Sequence, residues 1–161
     1  LELHSSIKEY KKYFDLRFTG LLKEIGITSN PREKLMIKVD YAKYWKGQKS
    51  EVLLFNKYGF IANVITNPLN QLIVQKLAAY LNRKQTQPRD IYDVVWLFSH
   101  GARPDLEFAR ANNLDDLIIK VAKKVEKEGI LESYYTKINP FLFTSGDSQK
   151  LGLFKNIISS L

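Results

Sequence analysis

At 161 residues, with 45% apolar and 26% charged side chains, the sequence suits one soluble globular domain, or one domain with a small appendage. The absence of cysteine excludes disulfides and thiolate metal sites, and two well-separated histidines, His4 and His100, argue against a zinc site or a histidine-based triad. A formal charge of +8, from 25 basic and 17 acidic residues, favours polyanions such as nucleic acid, nucleotide phosphates or an acidic protein, and otherwise serves solubility. No apolar run approaches the roughly 18 residues that span a bilayer. Leu1 to Lys8 is too mixed and polar for a signal peptide, so the expected compartment is the cytoplasm.

Leu1 to His4 alternates apolar and polar residues, as a strand or the tail of one does. Ser5 or Ser6 can cap a helix running to about Glu24, with Ile7, Tyr10, Phe14, Phe18, Leu21 and Leu22 on its inner face and Gly26 at its end. Thr28 to Arg32 is turn chemistry. Lys34 to Tyr41 alternates strictly, with Leu35, Ile37 and Val39 on one face and Met36, Lys38 and Asp40 on the other, and predicts a strand. Glu51 to Phe55 and Phe60 to Thr66 predict a hairpin across Asn56-Lys57-Tyr58-Gly59. Pro68 stops it and opens a helix with Leu69, Leu72, Ile73, Leu77, Tyr80 and Leu81 on one face.

A second helix begins near Pro88 and runs to Phe98. Short helices are expected from Pro104 to about Asn112 and from Leu114 to about Glu128. The latter has Leu117, Ile118, Val121, Ala122 and Val125 inside, and Lys120, Lys123, Lys124, Glu126, Lys127 and Glu128 on a solvated face. Leu131 to Ile138 and Leu151 to Leu161 complete the chain. The expected class is α+β: a short antiparallel sheet of about three strands (residues 1–66) followed by a helical region (67–161).

Several charged residues interrupt this pattern. Lys76 lies inside the apolar stripe, where a lysine either covers core with its stem or presents its ammonium to a partner or an anionic ligand. Arg83 sits two turns further on the same side, so both cations can serve one polyanion. Asp90 falls in the first turn of the next helix, where the helix dipole favours a carboxylate. Asp93 is flanked by Tyr92, Val94, Val95 and Trp96, and can pair with Arg89 or with Lys76 across the two helices. Asp40, near the end of its strand, is a candidate oxygen ligand for magnesium. The loop Tyr41, Lys43, Tyr44, Trp45, Lys46, Lys49 has the interleaved aromatics and cations that stack bases and hold phosphates, and also suits an ordinary exposed loop.

The run Gln75-Lys76-Leu77-Ala78-Ala79, then Asn82-Arg83-Lys84, then Arg89-Asp90-Ile91-Tyr92-Asp93, resembles the "eKlaAl…R…RDlyDl" motif of the AbiEii/AbiGii toxin family, nucleotidyltransferases with a polymerase-β-like fold. Leu35 to Asp40 is similar to the family's "kieid" strand, and Asn139-Pro140-Phe141-Leu142-Phe143 followed by Leu151 to Ile157 to its C-terminal end. The resemblance implies an NTP substrate, a magnesium cofactor, an RNA or protein acceptor and an antitoxin partner. It implies phosphate contact by Lys76, a catalytic need for Asp90 or else Asp93, a third carboxylate at Asp40, and Arg83 and Arg89 as phosphate or structural partners.

The family's glycine-rich turn leading to a strand with an Asp-x-Asp/Glu pair has no counterpart in this sequence. The expectation is therefore a C-terminal portion of such an enzyme, or else a degenerate member of the family, inactive without the pair. The competing expectation is a non-catalytic module that binds nucleic acid or a protein partner through its basic charge and the Trp45 loop.

Overall fold

The computed structural model describes residues 2–8, 11–42 and 45–161. The chain divides into two compact units, Leu1–Trp45 and Lys46–Leu161. Antiparallel strands come first and a helical C-terminal half follows, an α+β arrangement.

In the first unit, β1 (Glu2–Lys8), β2 (Lys11–Thr19) and β3 (Lys34–Ala42) form an antiparallel sheet in that order, with a one-turn helix, α1 (Leu21–Glu24), after β2. The helix expected from Ser5 or Ser6 to about Glu24 is thus corrected, since only its last turn forms. The competing signal was alternation. Phe14, Leu16 and Phe18 lie opposite Val39, Ile37 and Leu35 of β3, and such aromatic and branched cross-strand pairs outweigh the three- and four-residue spacing of the same aromatics. Between these apolar positions, Asp15 meets Arg17 at 3.4 Å and Lys38 at 4.0 Å. Gly20, at φ +78°, lets the chain leave β2 and enter α1. Tyr10, placed on the inner face of the expected helix, lies outside the described residues.

The second unit begins with a hairpin of β4 (Glu51–Lys57) and β5 (Phe60–Thr66). The expected four-residue connection narrows to Tyr58-Gly59, both left-handed at φ +56° and +78°, as a type I′ turn requires. Val52, Leu54, Ile61 and Ile65 on one face and Leu53, Phe60 and Val64 on the other are exposed. The helices follow: α2 (Leu69–Asn82), α3 (Pro88–Ser99), α4 (Leu106–Ala111), α5 (Leu117–Glu128), α6 (Glu132–Ile138) and α7 (Phe154–Ser159), with 3-10 segments at Asn139–Phe141 and Ser145–Leu153.

The core of this unit is helical. Ile73, Val74 and Leu77 of α2, Ile91 and Val94 of α3, Val121 of α5 and Phe154 of α7 are all fully buried. Their three- and four-residue spacing made these helices legible in advance. Among the described residues, no helix is long and apolar enough to cross a membrane.

Tyr80 is fully buried and packs edge-on against Phe154, ring centroids 5.1 Å apart, yet its hydroxyl has no hydrogen-bond partner among the described residues. Burial first, then Glu128 and Tyr134, push its pKa above the ordinary 10.0. The unfolded chain therefore ionises first, unfolding releases a proton above pH ~10, and stability falls as pH rises from there. Tyr80→Phe removes an unpaired buried hydroxyl, so at pH 7 it is expected to leave stability within ~1 kcal/mol of the parent or raise it. The alkaline loss should also shrink. Urea melts at pH 7 and pH 11 check both.

Candidate functional site

Helices α2 and α3 run antiparallel, joined by residues 83–87, and the candidate charges lie along their shared seam. Two features hold the connection in place. Thr86 Oγ1 donates to Glu128 Oε2 at 3.0 Å, tying the turn to the end of α5. Lys124 Nζ donates to the carbonyls of Tyr80 and Leu81 at 2.7 and 3.4 Å, neutralising the negative end of α2. Lys124 was expected on the solvated face of α5, but its side chain is only 14% exposed. The long stem reaches a helix end that is distant in sequence, which no local pattern reveals.

Along the seam the charges pair twice. Lys76 Nζ lies 2.6 Å from Asp93 Oδ2, both side chains 37% exposed. Nearer the connection, by two turns on α2 and one on α3, Arg83 Nε lies 2.7 Å from Asp90 Oδ2. Asp90 is enclosed, at 1% exposure, whereas Arg83 is 42% exposed. Asp90 Oδ2 sits off the N–H line of the guanidinium, so this contact is ionic rather than an aligned hydrogen bond. Of the two partners open to Asp93 in the sequence, the structure selects Lys76. Arg89 is exposed at the start of α3.

These pairs differ chemically. Asp90 cannot touch a ligand without rearrangement, and its enclosed charge fixes the arginine. Lys76 and Asp93 are open to solvent, so an incoming anion can exchange with the carboxylate for the ammonium at little desolvation cost. Gln75, next to Lys76, has a buried side-chain nitrogen with no partner among the described residues.

Asp40 stands on β3 in the first unit, exposed and opposite Tyr13. Among the described residues, no group of three or more His, Asp or Glu side chains gathers to hold an ion. The described carboxylates do not make a magnesium site by themselves. Of the basic aromatic loop, Lys43 and Tyr44 lie outside the described residues.

The following stretch, 46–50, is anchored by amides that sequence reasoning passed over. Buried Gln71 accepts from Lys49 N at 2.9 Å and donates to Gly47 O at 3.2 Å and Asp105 Oδ2 at 3.4 Å. Asn112 accepts from Lys46 N and donates to Lys46 O, at 2.9 and 3.0 Å. Asp105 caps α4 through Phe108 N, and that bond holds its carboxyl below the usual range. A glutamine within an apolar stripe was the available signal for Gln71.

The family model described as nucleotidyl transferase AbiEii toxin, Type IV TA system, matches residues 4–147. The chain belongs to the AbiEii family. Comparison with curated proteins and with solved structures finds no match. The AbiEii match spans both units, and with them the α2–α3 seam and its two ion pairs. AbiEii membership supports a nucleotidyltransferase of toxin–antitoxin type.

The two pairs should respond differently to substitution. Arg83→Met leaves an enclosed carboxylate uncompensated and is expected to cost ~2 kcal/mol, below the full value for a buried pair because the arginine is partly exposed. Lys76→Met should cost less than ~1 kcal/mol. Paired urea melts measure the order; equal costs would contradict this division.

Proposed function

We propose that the α2–α3 seam is the phosphate-handling side of a nucleotidyltransferase that moves an NMP from an NTP to an RNA or protein acceptor. The observation that carries the reading is the solvent-open Lys76–Asp93 pair in an AbiEii-family chain. Asp93 holds the ammonium in place until a triphosphate displaces it, after which Lys76 offsets charge that builds on the transferred group. Asp90 acts from beneath, fixing Arg83 beside the same seam. Arg83, and Arg89 at the exposed start of α3, add positive potential for the phosphates. The net charge of +8 leans the acceptor toward RNA.

The family's chemistry brings a divalent cation, with Asp40 as the candidate carboxylate in this sequence. Since the described residues do not complete a metal site, no step is assigned to it. An antitoxin partner follows from the family's type.

A second reading has the same geometry in its favour. A 2.6 Å lysine–aspartate pair is also what an inert scaffold contains. Labelled-NTP transfer assays on RNA and protein acceptors separate the two. In a form that carries the family's paired carboxylates, Lys76→Ala should lose transfer by at least ~100-fold with an unchanged melting curve. Undiminished transfer would exclude the catalytic role. The 161-residue chain is expected to transfer nothing, because its sequence lacks the family's glycine turn and the strand-borne carboxylate pair that follows it; turnover by it would refute that part.

A further inference from the structure

One stripe of α3 carries more than its charge pair. Arg89, Asp93, Trp96 and His100 follow at four-, three- and four-residue steps, and so share a face. Along the helix axis, Trp96 lies ~4.5 Å beyond Asp93 and His100 ~10 Å beyond it. Trp96 is 44% exposed, unusual for the largest apolar side chain. Its indole stacks on the His100 imidazole, with ring centroids 3.9 Å apart and planes 27° from parallel.

The imidazole is itself held. His100 Nδ1 lies 2.8 Å from Trp96 O, and since a carbonyl only accepts, Nδ1 carries the proton. Ser99 Oγ donates to the same carbonyl at 2.7 Å. The result is an exposed aromatic pair held in place before any ligand arrives, one and two turns along the seam from Lys76 and Asp93. A preordered aromatic face costs little entropy to occupy. Flat π-faces beside cations are what single-stranded nucleic acid and free nucleotides recognise.

We propose that the Trp96–His100 stack is a nucleobase platform: a base lies on the open face of the pair while its phosphate runs along the seam toward Lys76. The orientation rests on the phosphate role given to Lys76 above, whereas the stacking itself does not. The base can belong to the NTP or to an acceptor strand, and the two sources share one chemistry.

The chain has two tryptophans, Trp45 and Trp96, so Trp45→Phe leaves Trp96 as the sole indole reporter. In that background, emission is titrated with a single-stranded octaribonucleotide, with ATP, and with an abasic octamer carrying the same phosphates. Binding is followed in parallel by anisotropy of labelled octamer. Base-bearing ligand should quench Trp96 saturably, while the abasic octamer should compete without quenching. Quenching by ATP assigns the base to the NTP; quenching by the octamer alone assigns it to the acceptor. Trp96→Ala should weaken octamer or ATP binding at least ~5-fold, and Trp96→Phe should retain most of the affinity.

Affinity within twofold of the parent in a folded Trp96→Ala chain, bound ligand without quenching, or no binding by either base-bearing ligand would overturn the platform. Lys76→Ala in the same titrations keeps the two ideas apart. Unchanged abasic-octamer binding would remove the phosphate role and leave any quench standing. Weakened abasic binding without a quench would do the reverse.

Discussion

An enclosed carboxylate governs the arrangement of the helical unit. Asp90 is buried in the first turn of α3, where the helix dipole suits it, and the only cation within ionic distance among the described residues is Arg83 at the end of α2. A charge removed from water is tolerable only while its partner stays. The register of α2 against α3 is therefore tied to that contact, and so is the placement of Lys76 against Asp93 further along the seam. Lys124 and Glu128 of α5 hold the same corner, through Tyr80 O and Thr86 Oγ1.

This division separates rigidity from reactivity. The buried pair fixes geometry, and the exposed pair keeps an ammonium that can change partners cheaply. Trp96 and His100 extend the exposed stripe with rings already stacked. An apolar core of α2, α3, α5 and α7 lies behind it. The seam thus offers charge and a flat π-face on a frame that need not reorganise to present them.

Much of this was written in periodicity. The α2 and α5 stripes, the alternation of β3 and the Gly59 turn could be read directly, because each leaves its signal in neighbouring residues of the sequence. Residues 5–24 misled because their aromatics satisfy two periods at once, and only pairing with β3 decides between them. Lys76 and Asp93 were visible as charges among apolar neighbours that demanded partners. Lys124, Gln71 and Asn112 were not, since each bonds a main chain or loop far away in sequence. Such contacts leave no local spacing to detect. The Arg83–Asp90 pairing was obscured for another reason: the helix dipole already explained an acid at that position.

The hairpin of β4 and β5 carries a cost of its own. Its turn holds a tyrosine in a left-handed conformation, its two faces are both largely apolar, and among the described residues neither outer edge is paired. Strands of that kind add like strands to themselves. In concentrated solution the folded chain should therefore self-associate through this ribbon, without any loss of its core. A lysine in place of Leu54 or Ile61 would blunt that tendency.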